Sequence, residues 1–215
     1  MCGIVGILSD SYKGVEDIRL LTKTLQHRGP DGIGIFEERK PYLAFGHTRL
    51  SIIDLSSNGS QPKVSLTGRY TVTFNGEIYN HLKLRREIES NSRVRPVWAG
   101  GSDTETLLMC FECFGIIKTL EKITGMFAIA VWDKKNKEVT IARDRFGEKP
   151  LYYFKSDKTF VFASELRAIK KHNLFQGGLS NEALSYYFRY NYIPAPYSIY
   201  ENIFKLNSGC LINIK

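Results

Sequence analysis

Phe127-Ala128-Ile129-Ala130-Val131-Trp132-Asp133, then Lys134-Lys135-Asn136-Lys137, then Glu138-Val139-Thr140-Ile141-Ala142-Arg143 is the stretch whose reading decides the fold. Two β-rich runs joined by a short polar turn predict a hairpin, and a second hairpin is predicted to turn through Lys155 to Lys158. Hairpins pair neighbours head to tail, so the sheets are expected to be antiparallel. Further strand-like runs cover residues 3–8, 43–50, 70–75, 151–154 and 160–163, many rich in β-branched or aromatic residues. Helical spacing shows at Val15, Ile18, Leu21 and Leu25, a stripe stopped by Gly29 and Pro30. A more polar helix holds Leu82, Arg85, Arg86 and Ile88. Ser102 and Glu105 have capping-box spacing ahead of Leu107, Leu108, Phe111 and Phe114. A fourth stripe holds Ile116, Ile117, Leu120 and Ile123. Strands and helices come in blocks, which predicts α+β layers over a doubly wound parallel sheet. After about residue 175 the character changes. A short helix over 181–190 leads to Pro194-Ala195-Pro196, as a connection would.

With 215 residues and 43% apolar content, the chain can close a sizeable core. Its 30 basic against 22 acidic residues give a net charge of +8, which favours acidic partners. The cations are dispersed, however, so a solvated surface is the preferred explanation and nucleic-acid binding is not expected. No run approaches the roughly 20 apolar residues that span a bilayer, and no signal segment opens the chain; a soluble, cytoplasmic protein without a membrane partner is expected. Cys2, Cys110, Cys113 and Cys210 are too few and too unevenly placed for a disulfide framework.

Four constellations can carry chemistry. The start, Met1-Cys2-Gly3-Ile4-Val5-Gly6-Ile7, places a thiol at position 2, and a small residue there permits removal of Met1. The mature cysteine then bears a free α-amine, ordinarily titrating near about 7.7–8.0, which can act as base for its own side chain. The plainer alternative is a small hydrophobe heading a buried strand. In Phe74-Asn75-Gly76-Glu77-Ile78-Tyr79-Asn80, Asn75 can aim its amide into a pocket while Gly76 lets a backbone N–H approach a substrate oxygen, the two donors of an oxyanion hole. An ordinary Asn-Gly turn is the alternative. Arg49, in His47-Thr48-Arg49-Leu50-Ser51-Ile52-Ile53-Asp54, offers a fork of donors suited to a carboxylate or else a surface ion pair. Asp103, at the capped helix start, offers a partner for an ammonium group or merely complements the helix dipole.

Other features carry less. Cys110 and Cys113 lie inside an amphipathic helix with no second pair, so they are expected in the core and not on zinc. Gly177-Gly178-Leu179-Ser180 lacks the Lys-Ser/Thr pair of a phosphate loop. His27, His47, His81 and His172 show no metal spacing, and no metal site is expected.

Together these pieces resemble the class II glutamine amidotransferases, a branch of the N-terminal nucleophile hydrolases, and most closely the asparagine synthetase family. The motifs span nearly the whole chain: Met1-Cys2-Gly3-Ile4, His27-Arg28-Gly29-Pro30-Asp31-Gly32, Arg49-Leu50-Ser51-Ile52, Asn75 to Asn80, Ser102-Asp103-Thr104-Glu105, Gly125-Met126-Phe127-Ala128 and Arg143 to Tyr153. The resemblance implies an α+β fold, a four-layer α/β/β/α sandwich of two antiparallel sheets. It implies Cys2 as nucleophile, Asn75 and Gly76 as oxyanion hole, Arg49 on the α-carboxylate of glutamine and Asp103 on its α-ammonium. Leu50, Ser51, Ile52, Ile53 and Glu77 would complete the pocket. Residues 1–175 are expected to form the glutaminase core and 176–215 its end and connection toward an ATP-dependent synthetase domain absent from this sequence, which is expected to be a fragment. That absent domain would be the partner, with L-glutamine as substrate; a homodimer stays open. The glutaminase half needs no cofactor, and ATP and Mg belong to the absent domain. A non-catalytic glutamine-sensing domain, or an amidotransferase with an acceptor other than aspartate, are the alternatives.

Overall fold

Every residue from Phe127 to Asp133 is buried, which is why that run is almost continuously apolar: a strand packed on both faces has no solvent side. The computed structural model, which describes residues 1–51, 57–90 and 96–215, shows what packs there. In chain order the elements are β1 (Gly3–Ser9), α1 (Tyr12–Val15), α2 (Ile18–Lys23), β2 (Gly32–Arg39), β3 (Tyr42–Arg49), β4 (Lys63–Val64) and β5 (Tyr70–Ile78). Then come α3 (His81–Glu89), α4 (Asp103–Phe114), α5 (Ile116–Lys122), β6 (Gly125–Asp133), β7 (Glu138–Arg143), β8 (Tyr152–Lys155) and β9 (Thr159–Ala163). The last are α6 (Leu166–Ile169), α7 (Asn181–Tyr190), β10 (Ile203–Lys205) and β11 (Leu211–Ile214).

Among the described residues the strands form a six-stranded sheet, β10-β8-β9-β1-β3-β2, and a five-stranded sheet, β11-β7-β6-β5-β4. All neighbours within them run antiparallel. Three buried clusters stack the layers. Ile4, Phe45 and Phe162 of the first sheet meet Ala128, Ala130 and Trp132 of the second. Phe127, Ile129 and Val131, on the opposite face of β6, pack with α3 and α4 through Leu84, Ile88, Leu107 and Phe111, and with α5 through the partly buried Ile116 and Leu120. Val5, Ile7 and Ala163 of the first sheet pack with α1, α2 and α6 through Val15, Ile18, Leu21 and Ile169. The period-two alternation of β6 between two cores is the direct cause of the sandwich. The expected α+β, four-layer α/β/β/α architecture is the one observed.

The structure departs from the sequence reading in particular places. The stripe from Val15 to Leu25 is buried as predicted, but it is broken into α1, α2 and a 3₁₀ turn over Gln26–Arg28. Strand β2 was not predicted. It is a half-exposed edge strand whose apolar residues Ile33, Ile35 and Phe36 are interrupted by Gly34 and followed by Glu37, Glu38 and Arg39, so its apolar signal is short and broken. The tail likewise supplies β10 and β11, the outermost strands of one edge of each sheet. The Asn-Gly turn alternative is overturned. Asn75 and Gly76 lie inside β5, opposite Ala128 and Phe127 of β6.

Candidate active site

Strand β1 starts where β3 ends, and this register builds the site. Past the Gly3–Thr48 pair, the thiol of Cys2 meets the backbone of Leu50: Sγ accepts from the Leu50 N–H at 3.4 Å and donates to its carbonyl at 3.6 Å. The Cys2 carbonyl accepts from Arg28 Nε at 3.0 Å. Arg28 in turn is paired with Glu165 at 2.9 Å, and His27 also reaches that carboxylate. Burial pushes Glu165 up, but the hydrogen bonds from Arg28 and His27 outweigh it and hold the carboxyl below its usual range. The nucleophile candidate is thus fixed on two sides by backbone contacts and braced by an ion pair behind it.

Cys2 opens onto a cleft of about 150 Å³. The middle of β5 lines it through Phe74, Asn75, Gly76 and Glu77. There Asn75 is 1% exposed, and its amide nitrogen Nδ2 has no hydrogen-bond partner among the described residues. A buried amide donor without a partner is costly unless a ligand completes it. Gly76 also lines the cleft, and a Cβ there would lie 2.1 Å from the Met126 carbonyl oxygen. The position tolerates no side chain because the β6 backbone closes on it. Gln61 holds this part of β5 in place: its Oε1 accepts from Phe74 N–H at 2.7 Å and its Nε2 donates to the Phe74 carbonyl at 3.2 Å.

Arg49, Leu50 and Ser51 line the cleft from the end of β3, Glu77 from β5, and Asp103 from the start of α4. Ser51 donates its N–H to Asp31 at 2.8 Å, so that backbone group is already occupied, as are both backbone groups of Leu50. Ile52 and Ile53 lie outside the described residues. Asp103 is 6% exposed and accepts from the Ile78 N–H at 3.0 Å. Burial pushes its carboxyl above the usual range, with the Ile78 and Thr104 backbone bonds acting against it. The helix start that carries it is capped: Ser102 Oγ accepts from Glu105 N–H at 3.3 Å. Glu105 does not complete the reciprocal capping box but accepts instead from the N–H groups of Ala99 and Gly100 at 2.6 and 3.1 Å.

Several cleft residues were missed as site candidates. His47 is buried, and desolvation lowers it to about 4, so the ring is neutral near pH 7. Its Nε2 lies 3.3 Å from the Phe74 carbonyl, while Nδ1 has no partner among the described residues. Gln61, Thr104, Met126 and Lys149 also line the cleft. Arg28, Asp31 and Lys149 stood within quoted motifs, but nothing in their spacing gave them a task; Glu165 carried no sequence signal. Cys110 is in the core as expected, its thiol pushed up to about 12 by burial. Among the described residues no cluster of His, Cys, Asp or Glu could hold a metal ion.

The arrangement joins a thiol, an unpartnered amide donor, an arginine and a buried carboxylate around one small cleft. Comparison with known proteins decides which family this is: residues 1–215 match the glutamine amidotransferase domain. The chain belongs to the glutamine amidotransferase family. This glutamine amidotransferase domain is homologous to glutamine-hydrolysing asparagine synthetases. It is 35% identical over 228 residues to the putative asparagine synthetase (glutamine-hydrolyzing) 2 of Methanocaldococcus jannaschii, covering 97% of this chain and 43% of that protein. It is 34% identical over 221 residues to the asparagine synthetase (glutamine-hydrolyzing) 1 of Bacillus subtilis, covering 100% of this chain and 34% of that one. The amidotransferase chain therefore spans less than half the length of these relatives. Among solved structures, the glutamine phosphoribosylpyrophosphate amidotransferase of B. subtilis superposes with a TM-score of 0.61 at 22% identity, covering 79% of this chain and 43% of that chain. A second, described as the allosteric regulatory enzyme of purine biosynthesis, gives 0.64 at the same identity and coverage. That likeness is one of fold.

Proposed function

We propose that this amidotransferase domain hydrolyses L-glutamine to glutamate and ammonia with Cys2 as N-terminal nucleophile, and that the ammonia serves an ATP-dependent amidation carried by a further domain of the same protein. The observation that carries the reading is the buried Asn75 Nδ2, without a partner among the described residues, in the cleft that Cys2 also lines. With Met1 removed, the Cys2 α-amine takes the thiol proton, directly or through one water, and the thiolate attacks the side-chain amide carbon of glutamine. Asn75 Nδ2 and the Gly76 N–H receive the oxyanion. As the C–N bond breaks, the protonated amine returns its proton to the departing ammonia, leaving a glutamyl thioester. Water then adds with the amine again as base, and the C–S bond breaks to release glutamate and restore the thiol.

Arg49 binds the α-carboxylate of glutamine and Asp103 its α-ammonium, with Glu77, Leu50 and Ser51 completing the pocket. Leu50 does so chiefly by seating the thiol. No metal or cofactor takes part in this half of the reaction; ATP and Mg belong to the further domain, and aspartate is the acceptor that the relatives' names suggest. The site of action is the cytoplasm; among the described residues no helix is long and apolar enough to cross a membrane.

The test is ammonia release from three proteins: the chain with Met1 removed, the same chain with Cys2→Ala, and the chain with a blocking N-terminal extension. Only the first is expected to turn over glutamine. Undiminished turnover by the extended protein contradicts the α-amine as base.

A further inference from the structure

The motif from Arg143 to Pro150 has no part in the chemistry above, yet it is built with unusual economy. The buried carboxylate of Asp144 accepts from the N–H groups of Phe127, Phe146, Glu148 and Lys149 at 3.2, 3.0, 2.9 and 3.0 Å. The Arg143 guanidinium donates to the carbonyls of Lys149, Leu206 and Gly147 at 2.8, 2.6 and 2.5 Å. Gly147 sits at φ 69°, a conformation that favours glycine. What this cradle delivers to the cleft is Lys149. Its side chain lines the cleft wall and the residue is only 6% exposed. Its ammonium lies 3.1 Å from the sulfur of Met1, and among the described residues it has no other hydrogen-bond partner and no ion pair. With Met1 in place this ammonium is buried against a thioether, a poor compensation. The cradle bonds, which fix the Lys149 backbone through its N–H and carbonyl and do not involve Met1, persist when Met1 is removed.

We propose that Lys149 is a positioning residue for the N-terminal base: once Met1 is gone, its ammonium faces the α-amine of Cys2 and keeps that amine unprotonated at neutral pH. The inference rests on the N-terminal nucleophile reading above and assigns a regulator of its base. Two like charges in a partly buried cleft oppose one another, so the neighbour of a fixed ammonium loses its proton more readily. The other charged or titratable groups around the cleft do not replace Lys149. His47 from β3 is neutral. Arg49, also from β3, is assigned to the substrate carboxylate and Asp103 from α4 to the substrate ammonium. Arg28, whose Nε donates to the Cys2 carbonyl, shares Glu165 with Arg167 and His27. It is a second cation near Cys2, behind it and outside the cleft lining, and it is unchanged in the Lys149 variants, so the variants isolate the Lys149 contribution. Glu77 from β5 carries the opposite sign and works against Lys149; among the described residues that line the cleft, Lys149 is the cation with no substrate group assigned to it.

The test uses chain whose Met1 removal is verified by intact mass. In the parent, the pH dependence of N-terminal acylation by an amine-selective reagent should place the Cys2 amine below the ordinary α-amine range; a value within or above that range overturns the proposal without involving any variant. In parallel, kcat/KM and KM for glutamine are followed against pH for parent, Lys149→Met and Lys149→Arg. Lys149→Met should move the acid limb of kcat/KM up by about one pH unit, a loss of about tenfold below the limb that closes above it. Lys149→Arg should keep the parent profile. Superimposable profiles, a loss equal at every pH, or a change confined to KM each overturn it. Should the processed parent release no ammonia at all, the glutaminase reading itself fails, and the same amine titration on Lys149→Met, expected to move up toward the ordinary α-amine range, still decides what Lys149 does; an unmoved value overturns the proposal.

Discussion

Asn75 and Asp103 are both buried polar residues in one cleft, but they are incomplete in different ways, and that separates their expected kinetics. The Asn75 amide nitrogen lacks a partner among the described residues, and in the proposed mechanism it donates to charge that develops only on the reacting oxygen. Asn75→Ala should lower kcat by roughly 10²- to 10³-fold while glutamine still binds, measured by steady-state glutamate release and by binding on a Cys2→Ala background. The contact proposed between Arg49 and the substrate carboxylate is the same in ground state and transition state, so in Arg49→Ala chiefly KM should rise. Asp103 already holds the Ile78 N–H but must be ionised to attract an ammonium, and burial raises its pKa. Glutamine affinity should therefore weaken on the acid side at a pH above the ordinary carboxylate range, and Asp103→Asn should remove that limb. The same shift has a stability consequence. The folded state holds the Asp103 proton more tightly than the unfolded chain, so stability falls as pH rises through the raised pKa. Asp103→Asn should then melt higher than the parent near pH 7 while binding glutamine worse; a variant that melts lower contradicts the assignment of the shift to burial.

The elements meet at the cleft through a few cross-connections, and His47 is one that pH can cut. Its ring, on β3, reaches the Phe74 carbonyl on β5 and so links the two sheets. Its folded pKa is depressed to about 4 from 6.5, so it stabilises the fold fully above about pH 6.5 and loses that contribution as pH falls toward 4. The difference is worth on the order of 3 kcal/mol at most. His47→Gln should flatten the fall of Tm between those limits. At the α4 start, Ser102→Ala should cost about 1 kcal/mol through the lost cap, and it should also raise KM because Asp103 is the first residue of that helix. Much of this layout was legible in the sequence. The capping pair fixed the start of α4, and the two lysine-flanked turns marked the β6–β7 and β8–β9 hairpins. Edge strands β2, β4, β10 and β11 were not legible, because their apolar stretches are short and broken by glycine, lysine or asparagine. The Asn-Gly pair pointed to the right residues, but its local turn propensity was overridden by pairing of β5 with β6. Glu165 and Gln61 were invisible for another reason: they act through contacts far apart in sequence, Glu165 on Arg28 and Gln61 on Phe74.

At the scale of the molecule, the two sheets pack on a shared core, and the cleft lies where the start of β1 and the end of β3 from one sheet meet the interior of β5 from the other and the α4 start. Its parts come from residues as distant as Cys2, Asn75, Asp103 and Lys149, so a binding-competent site requires the whole sandwich. The 215 residues should hydrolyse glutamine without ATP and should form no asparagine, AMP or pyrophosphate when aspartate, ATP and glutamine are supplied together; appearance of any of those products contradicts the division of labour between domains. The central claim is covalent, and one measurement addresses it directly: acid quenching of the Met1-processed chain during turnover of glutamine, followed by intact-mass and peptide mass spectrometry. The account predicts a glutamyl adduct on the Cys2 sulfur that disappears when glutamine is exhausted and never forms on chain that retains Met1. An adduct on Cys110, Cys113 or Cys210, or equal labelling and turnover in the Met1-retaining protein, would contradict it.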